Sequence, residues 1–240
     1  WGLILLTGVV QAAYYIFLAR AAQSGDLSHA YPLARSMPVI FVALISVLLG
    51  RGDQIGGMAY AGFFIVTAGC LMLPLEKFSE IRLEHYRHPW ILFALLAAVC
   101  ITGYTLLDDQ ALRMLRSLPG TGISNLGWSL LYIELEAVSI SVFMIVFLTF
   151  SRNNREHIHR PSSGEWRTAF LMGAIITGTY GLVLLAMAYV SNVSYVIAFR
   201  QLSIPIGAML GILVRKESAA VPKLVGITLV FIGLVFAALG

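Results

Sequence analysis

Two glutamates, Glu134 and Glu136, stand inside the apolar run of residues 123–150. They lie about 11 and 13 residues into it, which at 1.5 Å per residue is about 16 to 20 Å deep. That is near the middle of a hydrocarbon core about 30 Å thick, out of reach of either surface. A carboxyl in low dielectric favours its neutral form unless an arginine pairs with it, and a group able to gain and lose a proton there suits proton-coupled work. The alternative is a structural hydrogen bond to a neighbouring helix. Two residues are about 200° apart around a helix, so at most one of the pair faces a given cavity, and Glu134 is the favoured one.

Other polar groups share this setting. Arg35 and Arg200 each sit five or six residues inside an apolar run, near opposite faces of the membrane. Either binds an anionic group or pairs with Glu134 or Asp108, or else it snorkels toward headgroups. Asp108 and Asp109 are expected at the end of a run, with Tyr104 one turn before. Tyr14, Tyr15, Tyr180 and Trp128 suit the wall of an organic-solute cavity or an aromatic belt at the interface. Gln11, Asn125 and Gln201 can add hydrogen bonds. His157 and His159 are flanked by Arg152, Arg155 and Arg160, whose repulsion argues against a metal site. Cys70 and Cys100 fall inside apolar runs and read as packing residues, so no disulfide, metal or cofactor is expected. Asn192 heads an Asn-Val-Ser sequon, but a turn this close to the membrane is a poor acceptor.

The elements that position these groups are membrane spans. Of 240 residues, 59% are hydrophobic and 12% charged, about half the charged share of a soluble domain. Apolar runs long enough to cross a bilayer recur at 1–20, 30–50, 55–74, 89–108, 123–150, 166–191, 194–214 and 221–240. The net charge of +4 comes from basic residues near helix ends, which fits lipid headgroups and not nucleic acid. The reading is an all-α membrane protein, a polytopic bundle of about eight transmembrane helices. Period-two alternation is absent, and open strands cannot face lipid.

The chain also matches itself. A shift of 165 residues aligns Trp1 with Trp166, Gly8 with Gly173, Tyr15 with Tyr180 and Arg35 with Arg200; a shift of 164 aligns Arg51 with Arg215, Asp53 with Glu217, Gly62 with Gly226 and Gly69 with Gly233. The shift carries the first span onto the sixth, an odd number of crossings, so the copies face opposite ways. Such inverted repeats rock against each other around a central site in secondary transporters. Residues 1–74 form a first repeat of three helices, 75–88 connect, and 89–240 form a second of five, so two helices are expected upstream. A polar cavity is expected between the halves. An intramembrane enzyme using Glu134 and Asp108, or a structural membrane protein, is the competing reading.

GDLSHAYPLARSMPV at 25–39, with the following run ending LLGRGD, resembles the fourth helix of the EamA-type branch of the drug/metabolite transporter superfamily. YTLLDDQALR at 104–113 is similar to the end of that branch's sixth helix, with Asp109 replacing its usual glycine, so a different local turn is expected. The glycines of QIGGMAYAGFFIVTAGCLML and PKLVGITLVFIGLVFAALG resemble the last helix of each five-helix repeat. The resemblance implies a ten-helix permease for small organic solutes in a bacterial inner (plasma) membrane, working without ATP hydrolysis. No P-loop sequence occurs, in agreement with that. Basic residues favour the loops after the first, third, fifth and seventh spans, which places the last residue outside; the resemblance implies the opposite.

Overall fold

The computed structural model describes residues 1–24, 27–78, 89–150, 163–216 and 218–240. The connection at 79–88, the loop 151–162 with its arginines, His157 and His159, and Glu217 lie outside the described residues. Helices make up the rest: α1 Gly2–Ser24, α2 Leu27–Leu48, a 3-10 turn Gly52–Gln54, α3 Gly57–Met72, α4 Pro89–Arg116, α5 Asn125–Phe150, α6 Ser163–Ala186, α7 Val193–Arg200, α8 Ser203–Arg215 and α9 Val221–Leu239. Seven helical stretches are long and apolar enough to cross a membrane, with α7 and α8 counted together as Val193–Val214; α3 is apolar but has only 16 residues. Among the described residues there is no strand.

Two elements differ most from the sequence reading. The fourth span does not end at Asp108: α4 continues for two further turns to Arg116. Gln110 to Arg116 are good helix formers, Ala111 and Leu112 are buried, and Arg113 Nε donates to both oxygens of Asp109 at 3.0 and 2.8 Å. Hydropathy falls there although the helix goes on. The seventh span, by contrast, is broken at Gln201–Leu202. Pro205 has no N–H for the Gln201 carbonyl. The chain closes the gap with tighter i→i−3 bonds, Gln201 N to Ala198 O (3.0 Å), Leu202 N to Phe199 O (3.0 Å) and Ile204 N to Gln201 O (2.9 Å).

The helices sort into two compact units. The first holds Trp1–Ala12 and Tyr104–Tyr189, that is the start of α1, the end of α4, α5 and α6. Thr7, Tyr104, Leu112, Tyr132 and Leu184 form its buried interior. At Gly8, α1 lies so close to α5 that a Cβ would come within 2.7 Å of Ser139 Cβ. Only glycine permits that approach.

The second unit holds Ala13–Gly103 and Val190–Gly240. One of its seams packs Ala21, Leu33, Ala34, Ile91, Ala94 and Ala97 beneath Phe17 and Trp90. Another joins α3 to α9 through small residues, the usual means of close helix approach in lipid. A Cβ on Gly62 would lie 2.5 Å from the Gly233 carbonyl oxygen, and one on Gly69 would lie 2.8 Å from that of Gly226. The start of α7 is held by Asn192, which is 2% exposed. Its Oδ1 accepts Ser194 N (3.0 Å) and Ser46 Oγ (3.3 Å), and its Nδ2 donates to the Arg51 carbonyl (3.4 Å). The sequon asparagine is thus a buried helix cap.

Candidate functional site

Three helices of the first unit each present a pair of polar residues one turn apart: Thr7 and Gln11 on α1, Tyr104 and Asp108 on α4, Tyr132 and Glu136 on α5. Residues i and i+4 share a helix face, so each pair forms a short polar strip in an otherwise apolar helix. The strips meet. Asp108, fully buried, accepts Thr7 Oγ1 at 2.7 Å and the Tyr132 hydroxyl at 2.8 Å on Oδ1. Its Oδ2 accepts the Tyr180 hydroxyl of α6 at 2.5 Å. Tyr104 packs edge-on against the Tyr180 ring, with centroids 6.0 Å apart. One turn along, buried Glu136 accepts Gln11 Nε2. Because their donors Thr7 and Gln11 are four residues apart, the two carboxyls are spaced by about 6 Å along α1.

Burying a carboxylate is tolerable when its lone pairs are filled, and three hydroxyls from three helices fill those of Asp108. Hydroxyls both donate and accept. With Asp108 ionised, all three donate; with Asp108 protonated, one of them turns and accepts. The cluster therefore accommodates a change of charge without stranding a polar group, which an amide-lined or arginine-locked carboxylate does not.

The other candidates fall as follows. Glu134 is exposed and lies outside the cluster; its neighbours one turn away on either side, Leu130 and Val138, are 53% and 63% exposed. The 200° between the two glutamates gives the buried place to Glu136, against the preference for Glu134. Asp109 is buried and paired with Arg113, and Arg116 Nη2 donates to Ser129 Oγ (3.2 Å) and the Leu184 carbonyl (3.0 Å). Trp128 is buried on the α5 face that carries Tyr132. Tyr15 is 38% exposed, with its ring 5.0 Å from that of Tyr14.

In the second unit, the Arg35 carbonyl accepts Gln201 Nε2 at 3.0 Å, so Arg35 and Arg200 come to similar depth and not to opposite faces. The reason is that α2 begins at Leu27, earlier than read, which puts Arg35 well inside its helix. Sequence reasoning left Thr7 and Tyr132 without roles and ranked Glu136 behind Glu134. Polar residues paired at i,i+4 within apolar runs were the signal for all three.

Seven helical stretches long and apolar enough to cross a bilayer, with carboxyls buried among them, define a multi-pass membrane protein. Residues 88–239 match the EamA-like transporter family, and the chain belongs to that family. A comparison with curated proteins finds no match. The protein is thus an integral, multi-pass membrane protein of a transporter family.

Proposed function

We propose that this protein is a secondary transporter of a small organic solute in a bacterial plasma membrane, working by alternating access between inverted repeats and coupled to protons through Asp108 and Glu136. The observation that carries this reading is the Asp108 cluster, in which hydroxyls from α1, α5 and α6 converge on one carboxyl of α4. A proton on Asp108 alters the hydrogen bonding of four helices at once. Coupling follows when the protonated and ionised forms favour different arrangements of those helices, since a ligand shifts a conformational equilibrium only through differential affinity. The reciprocal packing of α3 and α9 supports the duplication: Gly62 meets Gly233, the counterpart of Gly69, and Gly69 meets Gly226, the counterpart of Gly62. The test is uptake by the full-length protein in proteoliposomes, with amino acids, amines and organic acids offered with and without a pH gradient. Solute accumulation that follows the gradient supports the reading; flux indifferent to it defeats the coupling.

A further inference from the structure

Arg35 is a cation inside a stretch apolar enough to cross a membrane, the ninth residue of α2 and the fifth of Tyr31–Leu48. Its Nη1 donates to the Tyr31 hydroxyl at 2.9 Å and its Nη2 to Ser203 Oγ at 3.3 Å. Ser203 opens α8 and is the eleventh of the 22 residues of Val193–Val214, about 15 Å from either end at 1.5 Å per residue. A snorkelling arginine carries its guanidinium to the nearest headgroups, whereas this one is hydrogen-bonded to a residue at the centre of the neighbouring stretch.

Its partners do not neutralise it. Arginine stays protonated in proteins and offers five N–H donors. Among the described residues it meets two neutral hydroxyls and the Tyr31 ring, whose centroid is 5.8 Å from the guanidinium carbon, and no carboxylate pairs with it. Its Nε is buried without an acceptor. An intramembrane charge is retained at high cost and marks a ligand path or a relay. The backbone beneath is fixed as well, through the Gln201 bond to the Arg35 carbonyl.

We propose that Arg35 binds the carboxylate of the transported solute, with the Tyr31 and Ser203 hydroxyls orienting the guanidinium, so that the substrates are small organic carboxylates. This rests on the transporter reading for the word "transported" but not for the binding. The test is thermal unfolding of the purified full-length protein with matched pairs of probes: benzoate and benzamide, succinate and succinamide, alanine and alaninamide. At least one acid should raise the unfolding midpoint saturably while its amide does not. Arg35→Gln should weaken that acid by about tenfold or more, as loss of a charge-assisted pair does. Tyr31→Phe and Ser203→Ala keep the charge, should weaken it severalfold, and serve if Arg35→Gln does not fold. The proposal is overturned if amides match acids, if no acid shifts the midpoint, or if the variants bind as the parent does. Arg35-dependent binding without flux in proteoliposomes would defeat the transporter reading alone; Asp108-dependent flux of a neutral or cationic solute without carboxylate binding would defeat this one alone.

Discussion

Asp108→Asn separates a structural role for the cluster from a role in coupling. Asparagine has the shape of aspartate, so its Oδ1 can still accept Thr7 and Tyr132, while its Nδ2 faces Tyr180, whose hydroxyl turns to accept. No contact is lost, but bonds that are charge-assisted in the ionised form of Asp108 become neutral in the amide. Charged hydrogen bonds contribute about 1.5–3 kcal/mol and neutral ones about 0.5–1.5, and within membranes single bonds average about 0.6 with a maximum near 1.7. The expected loss of stability is therefore about 2 kcal/mol, small enough to leave the variant folded. The functional loss should be complete, because an amide exchanges no proton with the carboxyl's chemistry. With one proton per solute, a gradient of one pH unit supports about tenfold accumulation, since a pH unit is worth about 1.4 kcal/mol. In proteoliposomes the variant should keep solute exchange at equal pH on both sides and lose accumulation entirely. An Asp108→Asn protein that still accumulates solute about tenfold would refute the coupling argument.

Glu136→Gln, which preserves an acceptor for Gln11, should also impair gradient-driven uptake, whereas Glu134→Gln on the exposed face should not; the same uptake assay ranks the two. Tyr180→Phe removes one of the three hydroxyls on Asp108 and should lower stability by about 1–2 kcal/mol in denaturant titration, with an altered pH profile of transport. Gly69→Ala places a methyl 2.8 Å from the Gly226 carbonyl oxygen and should cost about 1–3 kcal/mol by overpacking, seen as a lower unfolding midpoint. Asn192→Ala removes the cap of α7 and should cost about 1–2 kcal/mol, while glycosylation at Asn192 should not be detected in the folded protein.

The helical architecture was legible because apolar length in lipid leaves few options: each span must satisfy its own backbone. Ends were less legible. Hydropathy drops after Leu107, but good helix formers, the burial of Ala111 and Leu112 and the Asp109–Arg113 pair carry α4 on for two more turns. The broken seventh span was marked by Pro205, yet a proline does not break every span; α2 keeps Pro32 and Pro38 within one helix. For the candidate site, Asp108, Tyr104 and Tyr180 were named from sequence and do come together. The choice between Glu134 and Glu136 was not decidable from depth, which is nearly equal for the two. It depends on azimuth, and azimuth is readable only from the strip Trp128, Tyr132, Glu136 set against the strip Leu130, Glu134, Val138.

The α3–α9 seam bears on the repeat in a way that sequence matching alone cannot. A shift of 164 residues pairs Gly62 with Gly226 and Gly69 with Gly233, but shared glycines occur in many unrelated apolar helices. In the structure each glycine packs not on its own counterpart but on the counterpart of the other, Gly62 on Gly233 and Gly69 on Gly226. Any antiparallel pair with equal glycine spacing gives that crossed pattern, and a two-fold axis between equivalent surfaces is one arrangement that does, residue i meeting j and j meeting i. Position numbers rise along α3 as they fall along α9, so the helices are antiparallel, and an axis relating antiparallel helices side by side runs perpendicular to both. Were both helices to cross a membrane, a two-fold axis between them would lie in the plane of the bilayer, so the seam is compatible with the proposed inverted repeat.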